Sequence, residues 1–149
     1  MPSQNRIYTE LVDTPIDMPS LAEKIGDPDV GAHAWFIGVT RRTTGNQITQ
    51  TLDYEAHRPM AIEQINQIAL QAIEKFSLTK VVIVHRLGSV PIGQASIVVG
   101  CSSSHRVDSF AALPWMMDTL KQDVAIWKRE TYADGQQHWV HPAPEPPQA

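Results

Sequence analysis

The pattern that most restricts the fold is an amphipathic helix over residues 60–76. Apolar residues recur there at positions 62, 65, 69, 73 and 76, while positions 63, 67, 71 and 74 carry only Glu or Gln. Because an α-helix repeats about every 3.6 residues, the two sets lie on opposite faces. Pro59 precedes the pattern, where proline fits the first turn of a helix. The sequence therefore predicts one long helix with a single buried face.

Short strand-like segments surround this helix. Apolar alternation or continuous β-branched runs predict strands at residues 7–11, 32–39, 48–56, 81–84, 95–100 and 124–132. The segment 32–39 is apolar enough for an interior strand. Gly45 with Asn46 predicts a hairpin before residue 48, and Pro91 with Gly93 predicts another before residue 95. The mixture indicates a single domain of the α+β class, with mostly antiparallel strands and a few helices.

Two further helices and a tail complete the predicted organisation. Ser20 could cap a short helix that ends at residue 25. Ser103 or Ser104 could cap a longer one, which Pro114 is expected to kink or divide. The core face expected for this longer helix consists of Phe110, Leu113, Met117 and Leu120. We expect the domain to span residues 1–141, because residues 142–149 contain four prolines and predict a disordered tail.

The bulk properties exclude several classes of protein. A length of 149 residues allows one domain with a real core. The net charge of -4 disfavours a nucleic-acid partner, and a single cysteine excludes an internal disulfide and suits a reducing compartment. The first residues lack an apolar signal core, and the longest apolar run, residues 111–117, is far shorter than the roughly 20 residues that span a bilayer. We expect a soluble cytoplasmic protein.

Two of the five lysines, Lys121 and Lys128, lie beside densely spaced apolar residues. Apolar residues at that density favour burial, and a buried cation is costly unless an anion meets it. The pair therefore suggests a pocket for an anionic ligand. Two alternatives stay open from the residues alone. Lys121 could be a helix-terminal lysine favoured by the macrodipole, and Lys128 could be an outward-facing cation on a strand.

Other cations also occupy positions where anions bind. His105 and Arg106 lie where a strand gives way to a helix N-terminus, so free backbone N–H groups and a guanidinium would both favour an anion. The alternative is a solvated start of the helix. Arg41 closes an apolar strand at a loop, a position where functional side chains often lie. Arg42 is interpreted as a surface residue.

Several other residues are interpreted as structural. Cys101 follows a predicted strand, and we interpret it as a small buried hydrophobe rather than a nucleophile. His85 with Arg86 is interpreted as structural at the end of a strand. Tyr54 with Glu55 could reach a cation, although a satisfied strand pair is the simpler interpretation. The six histidines form no recognisable metal site, and no glycine-rich phosphate loop is present.

Five segments match one family in order and at close to its spacing. They are GAHAWFIGVTR at 31–41, Gly45, LDYEAHRPMA at 52–61, HRLGSVPIG at 85–93, and the region 101–139 that contains WKRETYADG. With them, the chain resembles the large, catalytic subunit of molybdopterin synthase over roughly residues 5–140. That resemblance implies an α/β-hammerhead arrangement.

The resemblance also implies a sulfurtransferase. Its substrate would be cyclic pyranopterin monophosphate and its product molybdopterin. The sulfur would come from the C-terminal thiocarboxylate of a small ubiquitin-like partner subunit, with no cofactor or metal in this chain. It further implies a homodimer with one small subunit at each end, a heterotetramer. The site residues it implies are the catalytic Lys121 and Lys128, the substrate-binding Val39, Thr40, Arg41, His105 and Arg106, and, as further lining, Met117, Arg129 and Glu130.

Three departures from the family pattern concern loops. His57 stands where a tyrosine is common, the loop between Arg41 and Gly45 is short, and Ala125 replaces a usual proline. None touches the implied cations. Two other functions remain as alternatives: a non-catalytic module that binds a phosphate ligand or regulates on the same fold, and a Schiff-base lysine enzyme. Borohydride trapping with a carbonyl substrate would identify the latter, and we expect no trapping.

Overall fold

The computed structural model describes residues 3–140, and these form two β-sheets and three α-helices. The predicted tail at residues 142–149 lies outside the described residues. Short 3-10 turns occupy Ser3–Arg6 and Glu23–Ile25. The other elements are β1 (Ile7–Val12), α1 (Met18–Ala22), β2 (Ala32–Val39), β3 (Thr43–Thr44), β4 (Gln47–Ala56), α2 (Arg58–Phe76), β5 (Lys80–Arg86), β6 (Gly88–Val90), β7 (Ala95–Ser103), α3 (Arg106–Asp123), β8 (Ile126–Tyr132) and β9 (Gln137–Val140).

Antiparallel pairing dominates both sheets. The first has the order β1-β5-β7-β2, in which β1 and β5 are parallel and the other neighbours antiparallel. The second has the order β3-β4-β8-β9, all antiparallel, and β6 also pairs with β4. The predicted hairpin before residue 95 therefore exists between β5 and β7, with β6 in its connection. The expected α+β class with mostly antiparallel strands is confirmed.

Helix α2 buries the face that its periodicity predicts. Its buried residues are Ala61, Ile65, Ile68, Ala69, Ala72 and Ile73. At its start, Nδ1 of His57 accepts a hydrogen bond from the backbone N–H of Met60 at 3.3 Å. At its end, Ser77 takes a left-handed conformation with φ of 55°. Each fully buried isoleucine contributes about 1.5–3 kcal/mol of transfer free energy, so this face fixes α2 against α3, β1 and β5.

The core face expected for α3 is right in part. Leu120 is buried, and Leu113 and Met117 pack against the core, but Phe110 is 64% exposed. The fully buried residues of α3 are Ser109, Ala112, Met116 and Leu120. The predicted division at Pro114 does not occur, because α3 runs unbroken over Arg106–Asp123. A kink at Pro114 stays a prediction. Pro114 is exposed and lies four residues after Phe110, so both are on the outer face. The carbonyl that loses its helical partner there can be hydrated, which lets the helix continue.

Strand β2 lies at an edge of the first sheet rather than in its interior. Its apolar side chains Phe36, Ile37 and Val39 are 38%, 44% and 53% exposed. The interior position expected for this segment is therefore wrong. An apolar strand with a free edge is a feature of surfaces that meet another chain.

The first helix starts earlier and ends earlier than the sequence predicted. The N-cap of α1 is Asp17 instead of Ser20, and the predicted single helix to residue 25 is α1 followed by the turn Glu23–Ile25. Pro19 in the first turn fixes the earlier start.

Among residues 3–140, no helix is long and apolar enough to cross a membrane.

Candidate active site

A cleft of about 850 Å³ lies where the second sheet meets the end of β2, the middle of the first sheet and the last turns of α3. Most of its lining is apolar, as is usual for a ligand pocket. The polar and charged residues that line it are Arg41, Thr44, Tyr54, His85, Ser96, Lys121, Lys128 and Glu130. The cleft therefore combines apolar walls with three cations.

The two lysines reach this cleft from neighbouring elements. Lys121 lies in the last turn of α3, and Lys128 lies in β8, which follows directly. Val124 ends the helix in an extended conformation and turns the chain into β8. The backbone N–H of Ala125 donates to Oε1 of Gln64 at 2.8 Å, which fixes the connection to α2. The structure thus brings together the lysines that the sequence separates by seven positions.

Glu130 holds Lys128 in place. Its side chain is 6% exposed, and its Oε1 lies 3.8 Å from Nζ of Lys128, whose side chain is 32% exposed. The other oxygen, Oε2, accepts a hydrogen bond from the hydroxyl of Tyr132 at 2.7 Å. That bond raises the pKa of Tyr132. The three side chains share one face of β8 because strand residues two apart point the same way. The buried carboxylate of Glu130 therefore lies between the neutral phenol of Tyr132 and the ammonium group of Lys128, and it favours one position of that ammonium group.

Tyr54 and His85 form a neutral wall of the cleft. Tyr54 lies opposite Lys128 in the β4–β8 register, and its ring meets that of His85 edge-on with centroids 4.9 Å apart. Burial lowers the pKa of His85 to about 4, and burial also raises the pKa of Tyr54. Nδ1 of His85 lies 2.8 Å from the carbonyl oxygen of Arg86, so it carries the proton and leaves Nε2 as the acceptor. Both rings are therefore neutral near pH 7.

Sequence reasoning assigned structural functions to Tyr54 and His85 and did not consider Ser96. One signal could have placed Tyr54 in the site. It lies two residues after the buried Leu52 on a predicted strand, so both side chains point to the same side of the sheet. No comparable signal marks Ser96, which donates to the carbonyl oxygen of Gly38 at 3.2 Å across two strands.

The three residues of segment 39–41 do not all line the cleft. Val39 and Arg41 line the cleft, as does Met117 from α3. Thr40 is only 1% exposed and is not part of the lining. Its backbone is instead held by two hydrogen bonds, from its N–H to the carbonyl of Gln94 at 3.0 Å and from the N–H of Gly93 to its carbonyl at 2.8 Å. Thr40 thus fixes the chain next to Arg41.

Three residues named from the sequence do not reach this cleft within one chain. His105 and Arg106 are exposed at the start of α3, while Lys121 is in its last turn. Fifteen helical residues span roughly 22 Å, so the two groups lie at opposite ends of the helix. Arg129 points to the other face of β8, where its guanidinium lies 5.6 Å from the ring centroid of Trp139.

Cys101 is buried in β7 and donates through its Sγ to the carbonyl of Ser109 at 3.6 Å. Burial raises its pKa to about 11, which keeps the thiol protonated and unreactive near pH 7. It does not line the cleft. Over residues 3–140, no group of three or more His, Cys, Asp or Glu residues could hold a metal ion.

The sequence of this chain is similar to proteins of one known family. The chain matches the family described as MoaE protein over residues 11–123. It is 40% identical over 138 residues to the molybdopterin synthase catalytic subunit of Aspergillus oryzae, covering 93% of this chain and 76% of the relative. The corresponding subunit of Bacillus subtilis is 37% identical over 131 residues, with 88% and 83% covered. This chain belongs to the MoaE protein family. The resemblance seen in its sequence segments is confirmed.

Solved structures agree with this family membership. Molybdopterin synthase from Staphylococcus aureus superimposes with a TM-score of 0.83 at 34% identity, covering 88% of this chain and 95% of the other. A complex of subunits 1 and 2 of the molybdopterin-converting factor from Helicobacter pylori gives a TM-score of 0.71, at 18% identity and with 90% and 89% covered. At that lower identity the second likeness establishes the fold alone.

Proposed function

We propose that this chain is the catalytic subunit of a molybdopterin synthase. It would convert cyclic pyranopterin monophosphate to molybdopterin with sulfur from the C-terminal thiocarboxylate of a small ubiquitin-like subunit. One observation carries the proposal: Lys121, Lys128 and Arg41, which match the family positions, converge on one cleft of about 850 Å³. Family membership and the names of the relatives support the same reaction.

The reaction explains why cations line the cleft. A phosphate on the substrate and a thiocarboxylate on the donor are both anions, so they repel one another in a shared site. Three cations offset that repulsion. They also stabilise the negative charge that develops on oxygen when a nucleophile adds to the acyl carbon, and on sulfur when the C–S bond then breaks. Preorganised donors accelerate acyl transfer in this way. Lys128, held by Glu130, is the more fixed of the two lysines.

The small subunit is the partner that this chemistry requires. Its C-terminal glycines would enter the cleft beside Lys121 and Lys128, while its globular part binds elsewhere on this chain. The H. pylori protein of the same fold lies in a complex of subunits 1 and 2 of the molybdopterin-converting factor, so that member of the fold does pair with a second subunit. Excluding water from the cleft would protect the thiocarboxylate from hydrolysis. The chain itself would need no cofactor, since the donor supplies the sulfur.

A homodimer of this chain, and a heterotetramer with two small subunits, completes the proposal. The free edge of β2 and two exposed apolar side chains of α3 that do not line the cleft, Val107 and Phe110, support a surface that meets a second copy. A dimer would also reconcile His105 and Arg106 with their family function, since they could act in the cleft of the second copy. The single buried cysteine suits a reducing cytoplasm, which we propose as the compartment.

Reconstitution tests the activity directly. The purified chain, thiocarboxylated small subunit and cyclic pyranopterin monophosphate should together give the dithiolene product, detected by fluorescence after oxidation. Omitting either protein, or supplying the small subunit as its carboxylate, should give none. Binding of the substrate without product would favour a non-catalytic phosphate-binding module instead.

Deleting the terminal glycines of the small subunit separates docking from transfer. We expect weaker but measurable binding and no product, since the globular part still contacts this chain. Complete loss of binding would show that the tail alone carries the interaction.

A further inference from the structure

Arg86 is a buried guanidinium that no described carboxylate neutralises. The side chain of this last residue of β5 is in the interior, with the residue 8% exposed. The ion pairs among residues 3–140 are Arg58 with Asp13 and Lys128 with Glu130, so none includes Arg86. Its Nε has no hydrogen-bond partner in the described part of the chain. An apolar residue of similar size would often be at least as stable there, so the charge points to a function other than stability.

The guanidinium of Arg86 makes one short hydrogen bond, to Gln94, and Gln94 lies in a turn that contacts the chain beside the cleft. Nη1 of Arg86 donates to Oε1 of Gln94 at 2.7 Å. Gln94 belongs to the turn before β7, where Gly93 has a left-handed φ of 84°. The same turn holds Thr40 from both sides, through the carbonyl of Gln94 and the N–H of Gly93. Thr40 precedes Arg41, which lines the cleft.

These hydrogen bonds start from a rigid part of the fold, the end of β5 that carries Arg86. Strand β5 lies inside the first sheet between β1 and β7, and Arg86 pairs with Val12 in the β1 register. The carbonyl of Arg86 accepts the hydrogen bond from Nδ1 of His85. A side chain fixed by an interior strand therefore reaches the turn that holds an otherwise exposed loop.

We propose that Arg86 is a positioning residue. It holds Gln94, Gln94 and Gly93 hold the backbone of Thr40, and Thr40 sets where Arg41 meets an anion in the cleft. The inference rests on the proposed function for the identity of that anion, the phosphate of the pterin substrate. Arg86 itself is not among the residues that line the cleft.

Two variants break the connection at different points. Gln94→Ala changes an exposed residue and should leave the fold intact, whereas Arg86→Met removes the charge and keeps an apolar stem. In each, KM for cyclic pyranopterin monophosphate should rise about 5- to 10-fold while kcat changes little. This is less than the roughly tenfold or more expected for a charged hydrogen bond lost from the substrate itself, because the change acts through Thr40. Arg42→Gln removes an exposed positive charge beside Arg41 and should leave KM unchanged. An unchanged KM in Gln94→Ala overturns the proposal, even if Arg86→Met does not fold.

A double-mutant cycle tests whether Arg86 acts through Arg41. In an Arg41→Ala background, Gln94→Ala and Arg86→Met should add no further increase in KM, because the residue they position is gone. Additive effects would mean that Arg86 acts by another route, which contradicts the inference. A purely structural Arg86 would instead lower the melting temperature of Arg86→Met and leave KM unchanged.

Hydrogen exchange tests the connection without any substrate. The amides of Thr40 and Gly93 should exchange about fivefold faster or more in Gln94→Ala than in the unaltered chain, while the amides of α2 are unchanged. Equal exchange rates would overturn the positioning of Thr40. If the unaltered chain failed to make molybdopterin, the proposed function would fall, and this measurement would still decide the connection.

Discussion

At the scale of single residues, Lys128 and Lys121 carry the chemistry that the proposed function needs. The first is held by Glu130, and the second projects from the exposed end of α3. We expect Lys128→Ala and Lys121→Ala each to lower single-turnover sulfur transfer about 10²- to 10³-fold, the usual cost of losing one preorganised donor to developing charge. Rapid-quench measurement of product with preformed thiocarboxylate checks this. Near-normal rates in both variants would refute the assignment.

Matched substitutions separate this effect from changes in charge or fold. Lys75→Ala removes an exposed lysine from the last turn of α2 and should leave the rate unchanged. Cys101→Ala should also keep sulfur transfer, since the sulfur arrives on the partner. It should cost about 1 kcal/mol in unfolding free energy, typical of a single core change. A folded but inactive Cys101→Ala protein would make the thiol a sulfur relay and would contradict the mechanism.

His85 should make stability depend on pH. Its pKa lies near 4 in the folded protein against 6.5 for the free side chain. Between these values the unfolded chain binds a proton that the folded protein does not, so stability rises with pH across that range. The contribution is complete above pH 6.5 and is lost as the pH falls toward 4. From pH 7 to pH 5 we expect the unfolding free energy to drop by about 2 kcal/mol on this account.

Urea unfolding at pH 7 and pH 5 measures that drop. His85→Gln keeps a buried neutral side chain that can donate to the carbonyl of Arg86 but cannot titrate. Its loss of stability from pH 7 to pH 5 should therefore be smaller than that of the unaltered chain by about 2 kcal/mol. Equal losses in the two proteins would mean that His85 is not held neutral by burial.

At the scale of elements, Trp35 packs across the backbone of β7. It lies opposite Gly100 in the β2–β7 register, and a Cβ atom on Gly100 would meet the Trp35 ring at 2.3 Å. Gly100→Ala should therefore lower the unfolding free energy by about 1–3 kcal/mol, the usual cost of overpacking. Gly26→Ala is the control, because its φ is -73° and its nearest contact would be 3.9 Å. Comparable stability of the two variants in urea would disprove the packing argument.

The sequence predicted helices and strands best where the buried residues recur at a regular spacing within one element. Helix α2 has one apolar face and one polar face, so its buried residues followed from spacing alone. Helix α3 has apolar residues on both faces, with Met116 inside and Phe110 outside. Periodicity cannot tell a core face from an apolar outer face. For the same reason the apolar segment of β2 predicted an interior strand, although it lies at an edge.

The residues alone made Lys121, Lys128 and Arg41 candidates, but surface positions for them stayed open until the resemblance decided. The fold does bring all three to one cleft. Tyr54 and His85 join that cleft through pairing of β4 with β8 and through ring contact across two sheets. The alternation of Tyr54 with Leu52 indicates only which side of the sheet Tyr54 faces. Which strands pair, and in which register, is not encoded by a local pattern.

At the scale of the whole molecule, the positions of His105 and Arg106 argue for assembly. They lie at the far end of α3 from Lys121, so one chain cannot bring them into its own cleft. In a two-fold symmetric dimer a surface patch of each copy meets its counterpart, and residues of one copy can enter the site of the other. We expect light scattering to give a dimer of this chain at micromolar concentration. A monomer that also fails to bind the small subunit would refute the assembly.

Mixed dimers test whether Arg106 acts across the interface. Lys128→Ala and Arg106→Ala chains are each expected to be inactive alone. If Arg106 serves the cleft of the other copy, a mixed dimer has one cleft with both defects and one intact cleft. Random co-assembly makes half of the dimers mixed, so activity should recover to about a quarter of the unaltered level. If Arg106 serves its own cleft, every site keeps one defect and no activity returns. Recovery would therefore place Arg106 in the partner's site, and its absence after verified mixing would remove it from there.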